Sequence, residues 1–187
     1  MKNLAVLVFG SMLLIACGSN EEIKVDEAPV EENPIDTYEE RAGEIDKYTQ
    51  LLFADSLNFN QDYAEKLLAA YQEFIKHESF DTISLTYEFK AGELAKALNK
   101  PHVAIKHFNN LMDRRPTHRL VPMALFYKAM IVGDMLGEHE NAKVFYQEFI
   151  EKYPDHPFAE SAKASIAIEG KDLNEVIKEF EAKNANS

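Results

Sequence analysis

A five-residue segment of this 187-residue sequence returns unchanged after 75 residues. Residues 71–75 read Tyr-Gln-Glu-Phe-Ile, and residues 146–150 read the same. Between them, residues 108–112 (Phe-Asn-Asn-Leu-Met) follow a related pattern, so that the intervals are 37 and 38 residues. Recurrence at such a period is typical of repeat proteins, in which each small unit buries its apolar face only by stacking on the next unit.

The composition favours helices over strands. The sequence has only seven glycines and seven prolines, whereas an all-β sandwich or barrel needs a turn signal about every 8–12 residues. Hydrophobic residues make up 46% of the chain, which is enough for a packed core. We therefore predict an all-α fold. The expected helices are residues 38–57, 61–77, 83–98, 101–115, 121–136, 139–153, 158–168 and 173–183.

Small, aromatic and proline residues recur at matched positions in two successive copies. One copy has Gly92, Ala104, Phe108 and Pro116, and the next has Met130, Ala142, Tyr146 and Pro154. Small side chains let two helices approach closely, aromatic rings fill the space beside them, and proline ends the second helix. This pattern resembles the tetratricopeptide repeat (TPR), which implies a short TPR-like α-solenoid of antiparallel helix pairs. Met130 departs from the small residue expected there, and the earlier copy, residues 67–79, lacks both the alanine and the proline.

Two further segments fit the same architecture. Residues 136–142 parallel residues 98–104 in the turn between the two helices of a pair. Asp172 is followed three residues later by Glu175, which resembles a capping box that opens the last helix. We predict that the apolar face of this C-terminal capping helix covers the final repeat.

The resemblance also implies which residues contact a partner, since the first helices of TPR pairs line a binding groove. By register, the groove positions are Thr86, Phe89, Glu93 and Lys96 in one copy and Ala124, Tyr127, Ile131 and Asp134 in the next. The partner-binding residues that we predict among them are Phe89, Glu93, Tyr127, Ile131 and Asp134. Phe89 and Tyr127 fit the core equally well. Glu93 and Ile131 stand where carboxylate-clamp TPR proteins have asparagine, so capture of a peptide C-terminus is not expected.

One basic stretch interrupts an otherwise acidic chain. It consists of Arg114, Arg115, His118 and Arg119. Its three arginines are predicted to bind an anionic partner or a lipid headgroup; alternatively, they offset the macrodipole at the end of a helix, an effect of about 0.3–1 kcal/mol. The formal charge of −12 argues against sequence-independent nucleic-acid binding, because no cationic excess exists to neutralise phosphates.

The N-terminus predicts a location in the cell envelope. Lys2 precedes an uncharged apolar run, residues 4–15, that suits a secretory signal and is shorter than the roughly 20 residues of a membrane-spanning helix. The run leads into Leu-Ile-Ala-Cys, which resembles the bacterial lipobox and contains the only cysteine of the chain, Cys17. An ordinary signal peptide that leaves a free thiol is the alternative. The predicted domains are a signal peptide over 1–16, a lipidated cysteine with an acidic tether over 17–37 and a TPR-like helical domain over 38–187.

The lipobox resemblance implies lipidation of Cys17, and Gly18 after it resembles the pattern of outer-membrane sorting. The expected location is therefore the outer membrane, with the helical domain facing the periplasm or the cell surface. Residues 148–160 resemble TPR lipoproteins of outer-membrane assembly and periplasmic TPR proteins of Gram-negative bacteria.

We predict from these features a non-enzymatic, lipid-anchored scaffold for envelope proteins or peptides. The sequence has none of the common hydrolase, metalloprotease or nucleotide-binding motifs. Its six scattered histidines are expected at the surface or in turns, so we expect no metal site and no cofactor. The alternative function is an accessory ligand- or glycan-binding lipoprotein of a surface uptake system. The oligomeric state and the membrane leaflet stay open.

Overall fold

The computed structural model describes residues 37–55 and 57–185, and these residues form helices joined by turns, without strands. The elements are α1 (Tyr38–Phe53), α2 (Gln61–His77), α3 (Thr82–Ala97), α4 (Pro101–Arg114), α5 (Val121–Met130), a π-helix (Ile131–Met135), α6 (His139–Lys152), α7 (Ala159–Ile168) and α8 (Leu173–Ala185). The predicted all-α fold is confirmed, although the helix expected over 121–136 divides into α5 and the π-helix. The predicted signal peptide, Cys17 and all of the tether before residue 37 lie outside the described residues.

The helices pack in consecutive pairs. α1 packs on α2, α3 on α4, and α5 with the π-helix on α6, while the second helix of each pair packs on the first helix of the next. Buried apolar side chains form two clusters, one centred on α1 to α4 and one on α5 to α7. This arrangement is the TPR-like helical repeat that the sequence predicts. None of the described helices is both long and apolar enough to cross a membrane.

The three connections between pairs share one backbone geometry. Each is a chain of three N–H···O bonds in which the first spans four residues and the next two span three residues each, with N···O distances of 2.8 to 3.2 Å. The residues of these chains are Phe74, Glu78, Asp81 and Ser84, then Leu111, Arg115, His118 and Val121, then Phe149, Tyr153, His156 and Ala159. Phe74, Leu111 and Phe149 are fully buried. The first pair therefore follows the repeat even though it lacks the alanine and the proline.

The turns within pairs repeat as well. Asn99 and Gly137 occupy corresponding positions of the segments 98–104 and 136–142, and their φ angles are 57° and 69°. Gly170, which follows α7, has a φ of 76°. Left-handed backbone strains most residues but suits glycine and is tolerated by asparagine. The predicted likeness of the two turns is confirmed, and the turn after α7 uses the same backbone conformation.

α8 departs from the expected capping helix. Its start agrees with the sequence, because Asp172 Oδ1 accepts a 2.8 Å hydrogen bond from the Asn174 N–H. However, α8 makes few contacts with the other helices, Ile177 on its apolar side is 45% exposed, and Val176 is only half-buried. The prediction that this face is covered against the final repeat is therefore wrong at Ile177, while Val176 is partly covered. Apolar patterning alone makes a helix amphipathic without supplying a surface for it to bury.

Candidate functional site

The small and aromatic residues at the repeat-packing positions lie between the helices of their pairs. An ideal Cβ built on Gly92 would lie 2.5 Å from Cε1 of Phe108, so α3 and α4 approach at a distance that only glycine permits. Phe108, Ala104 and Ala142 are fully buried, and Tyr146 is buried. Pro116 and Pro154 are exposed and follow the last residues of α4 and α6 by two positions.

An aromatic cluster occupies the boundary between the second and third pairs. The ring centroids of Phe89, Phe108 and Tyr127 lie 5.7 to 5.9 Å from one another. Phe89 is only 8% exposed, and Ile131 and Ala124 are fully buried. Phe89 and Ile131 are therefore core residues rather than side chains open to a partner, because the neighbouring helix covers them. Tyr127 is half-buried, so that part of its side chain stays accessible.

Charged side chains lie around Tyr127. Lys96 Nζ lies 4.7 Å from the centroid of the Tyr127 ring and 3.8 Å from Met130 Sδ. Glu93 is half-buried, and burial raises the pKa of its carboxyl group while the charges of Lys96 and Lys90 oppose that shift. Burial and the charge of Glu93 raise the pKa of the Tyr127 hydroxyl.

The π-helix places Asp134 beside a second carboxylate. Its wider turn closes with a 3.2 Å bond from the Leu136 N–H to the Ile131 carbonyl. Gly133 makes room for the carboxylate of Glu169, whose Oε1 lies 2.7 Å from His139 Nδ1. Burial, followed by the charge of Glu169, raises the pKa of Asp134, and His139 and Lys96 oppose this shift. Short π-helical insertions are frequent at functional sites.

We name Glu93, Lys96, Tyr127 and Asp134 the inner face. All four lie on α3, α5 or the π-helix, which are the first helices of their pairs. Three of these four residues, Glu93, Tyr127 and Asp134, are among the predicted partner-binding residues. Their charges act on one another, since Lys96 influences both Glu93 and Asp134. The structure therefore brings these predicted residues together, and their role in partner binding stays a prediction.

The basic stretch is divided by the structure. Arg114 donates to the carbonyl of Ser79, and its Nη1 lies 3.4 Å from Glu88 Oε1. Arg115 and Arg119 are exposed at the α4–α5 connection. Burial and these two arginines lower the pKa of His118 between them. Arg114 thus contributes to the fold, and the prediction of anion binding is left to Arg115 and Arg119.

Sequence reasoning missed a buried polar group in the second pair. Glu88 is 1% exposed and His107 is 5% exposed, and His107 Nδ1 lies 2.6 Å from Glu88 Oε2. The other ring nitrogen of His107 lies 3.2 Å from Gln72 Nε2, and Asn110 Nδ2 donates to Glu88 Oε1 over 3.3 Å. A neutral ring with its proton on Nδ1 satisfies both contacts of the imidazole.

The expectation that the histidines lie at the surface or in turns is wrong for His107. The signal for burial was present, because Glu88 follows Leu85 by three residues and precedes Gly92 by four, which puts it on the apolar face of α3. Among the described residues, no three histidine, cysteine or acidic side chains are grouped so that they could hold a metal ion.

The paired helices, the repeated connections and the matched packing positions define an all-α helical-repeat protein. Comparison with protein families agrees, since the family model for the tetratricopeptide repeat matches residues 123–156. This segment contains most of α5, the π-helix and α6 and includes Met130, Ala142, Tyr146 and Pro154. The match supports a TPR protein. A search of curated proteins finds no match to the chain.

Proposed function

We propose that this protein is a non-enzymatic TPR scaffold that holds protein partners in the bacterial cell envelope, anchored to the outer membrane through lipidated Cys17. TPR repeats generally serve protein–protein interaction, and the matched segment at residues 123–156 supports that general role. The envelope location rests on the lipobox resemblance at residues 14–17. The partners in this proposal are envelope proteins or peptides, and the domain faces the periplasm or the cell surface.

The inner face carries this proposal. A scaffold needs accessible groups on rigid elements. The inner face has such groups, because half-buried Tyr127 lies among the charges of Glu93, Lys96 and Asp134. The ring of Tyr127 also packs on the buried ring of Phe89. Tyrosine is among the residues enriched at binding hot spots, because it offers a large contact area together with a polar group. The charges around it would select the partner.

Site-specific crosslinking in living cells tests the binding role. A photoreactive amino acid is placed at Asp134 on the inner face and, as the matched control, at Val144, an exposed residue of α6. We expect discrete crosslinked adducts from position 134 and none, or different ones, from position 144. Identical adduct patterns from both positions would contradict a partner surface at the inner face. Phe89 is unsuitable for such a test, because a change at this buried residue would disturb folding.

Cell fractionation tests the anchor. Cys17→Ser removes the only thiol that can be acylated, so we expect this variant to leave the membrane fraction while the wild-type protein stays there. One acyl chain gives marginal membrane binding, and stable anchoring needs two or more. Washing with high salt separates an acyl anchor from electrostatic adsorption. Sedimentation of the Cys17→Ser variant with membranes after that wash would contradict the lipid anchor.

A further inference from the structure

A cavity of about 470 Å³ opens between the first three helices. We name it the α1–α3 pocket. It is lined by α1, by the loop that follows it, and by one side each of α2 and α3. Binding sites for small molecules and side chains have volumes of roughly 300–1,000 Å³. The pocket is therefore large enough for two or three side chains of a bound segment.

Apolar groups form the walls of the pocket. Leu52, Leu67 and Tyr71 are buried at its base. Phe53 and Phe59 also line it, and they remain 70% and 58% exposed. Large aromatic side chains that are left this open gain free energy when an apolar ligand covers them, because apolar surface is removed from water. The walls therefore favour a bulky apolar side chain as one part of the occupant.

Glu93 introduces a negative charge into this apolar lining. Its carboxylate is half-buried and makes no hydrogen bond or salt bridge with the other described residues, although the charges of Lys96 and of Lys90, which also lines the pocket, act on it. The other carboxylate in the lining, Asp55, already accepts hydrogen bonds from the Leu57 N–H and from Asn58 Nδ2, at 3.0 and 2.8 Å. Glu93 is thus the lining carboxylate left to bind a cation.

We infer that the α1–α3 pocket binds a partner segment in which a lysine or arginine adjoins a bulky apolar side chain. This inference rests on the proposed scaffold function and names the chemistry of the segment that is bound. The apolar side chain covers Phe53 and Phe59, and the cation pairs with Glu93, whose charge has lost part of its hydration without gaining a hydrogen bond or salt bridge among the described residues. An acidic segment is disfavoured, because the lining holds two carboxylates, Asp55 and Glu93, against one cation, Lys90, and an acidic ligand would add a further negative charge to a partly desolvated site. The resulting preference is opposite in charge to that of a clamp for peptide carboxylates.

Selection from a random peptide library displayed on phage tests this chemistry. The full chain, immobilised in detergent, is the target, and the Glu93→Gln and Ala97→Trp variants are parallel targets. Ala97 is an exposed residue of the pocket lining, so a tryptophan there fills the cavity without disturbing the core. The matched controls are Glu151→Gln on α6 and Ala69→Trp on α2, both at exposed positions outside the pocket.

We expect selection to enrich peptides with a basic residue next to an aromatic or large aliphatic one. A synthetic peptide of the enriched sequence should bind Glu93→Gln and Ala97→Trp at least about tenfold more weakly than the wild type, as judged by fluorescence anisotropy, and should bind the two controls unchanged. Enrichment of acidic or uncharged peptides, a lack of any enrichment, or equal binding to Glu93→Gln and wild type would overturn the inference. If adducts from position 134 persist in cells after such a result, the scaffold function stands and only the pocket chemistry fails.

Discussion

The second helix pair, α3 and α4, and the third, α5 with the π-helix and α6, have the same connections but different interiors. Positions 38 residues apart correspond, so Glu88 matches Phe126 and His107 matches Phe145. In the second pair these positions hold the buried carboxylate and imidazole. In the third pair Phe126 is buried, with its ring 5.5 Å from that of Tyr146. The same backbone thus accommodates a buried polar pair in one repeat and a buried aromatic ring in the next.

The close approach between helices also differs. In the second pair Gly92 meets the ring of Phe108. In the third pair the corresponding residue is Met130, the π-helix begins at the next residue, and the glycine in close contact is Gly133, which meets the carboxylate of Glu169. The tight position has moved along the helix by three residues, and its neighbour has changed from a buried ring to the end of a flexible side chain.

The largest effect is expected from breaking the buried pair of the second repeat. Glu88→Ala should lower the free energy of unfolding by about 3 kcal/mol, because removal of the carboxylate leaves Nδ1 of the buried His107 without a hydrogen-bond partner. Glu88→Leu/His107→Leu, which gives the second pair an apolar interior like that of the third, should be close to the wild type. Urea denaturation measures both, with Glu175→Ala at an exposed site as the control. A double variant as unstable as Glu88→Ala would mean that the fold depends on the polar pair.

The next largest effect is expected at Gly92. Gly92→Ala should lower the free energy of unfolding by about 1–3 kcal/mol, because the new Cβ meets the fully buried ring of Phe108. The matched control is Gly43→Ala in α1, where a Cβ would meet nothing within 4 Å. There the higher helix propensity of alanine should raise stability by up to about 1 kcal/mol. Equal responses to the two substitutions would show that the close approach at Gly92 has no energetic consequence.

A smaller effect is expected at Gly133. Gly133→Ala should stay within about 1 kcal/mol of the wild type, since Glu169 can swing away and helix propensity partly compensates for the lost contact. In a Glu169→Ala background the same substitution should become stabilising, because nothing remains for the Cβ to displace. Thermal denaturation of the four proteins gives the coupling between the two sites. Absence of coupling would contradict the contact between Gly133 and Glu169.

The smallest effect is a pH dependence at Asp134. Its pKa is raised above the ordinary value of 3.8 in the folded protein, so ionisation costs more in the folded than in the unfolded state. Protonated Asp134 therefore makes its full contribution to stability below the ordinary pKa, and this contribution is lost as the pH rises through the pKa of Asp134 in the folded protein. Asp134→Asn should raise the melting temperature slightly at neutral pH and leave it unchanged near pH 3. A gain of equal size at both pH values would assign the effect to something other than ionisation.

The helices and the turns could be predicted from the sequence because their signals are local. The recurring small, aromatic and proline positions marked the helix pairs, and the parallel segments 98–104 and 136–142 marked two turns, in which Asn99 and Gly137 have the left-handed backbone. Glu88 and His107 were missed because charged and polar residues are usually exposed, and only their position on an apolar face argued otherwise. The π-helix was not predicted. The only departure from the repeat pattern noted beside it was Met130, which stands in the place of a small residue directly before the π-helix begins.

For the candidate site, register alone placed Glu93, Tyr127 and Asp134 on one surface. It did not separate these residues from Phe89 and Ile131, because burial depends on the neighbouring repeat. The α1–α3 pocket could not be predicted, since its lining comes from three helices and a loop whose contacts are not encoded in any one segment.

The shared connection between pairs has a consequence for how such a chain changes its length. The three hydrogen bonds that recur in each connection join main-chain atoms, and its anchor is one large buried side chain, Phe74, Leu111 or Phe149. A gene duplication that copies the stretch from one anchor to the next would therefore add a complete unit and recreate an intact joint at both ends. Such a change would lengthen or shorten the array by a whole unit and leave each interior to vary on its own.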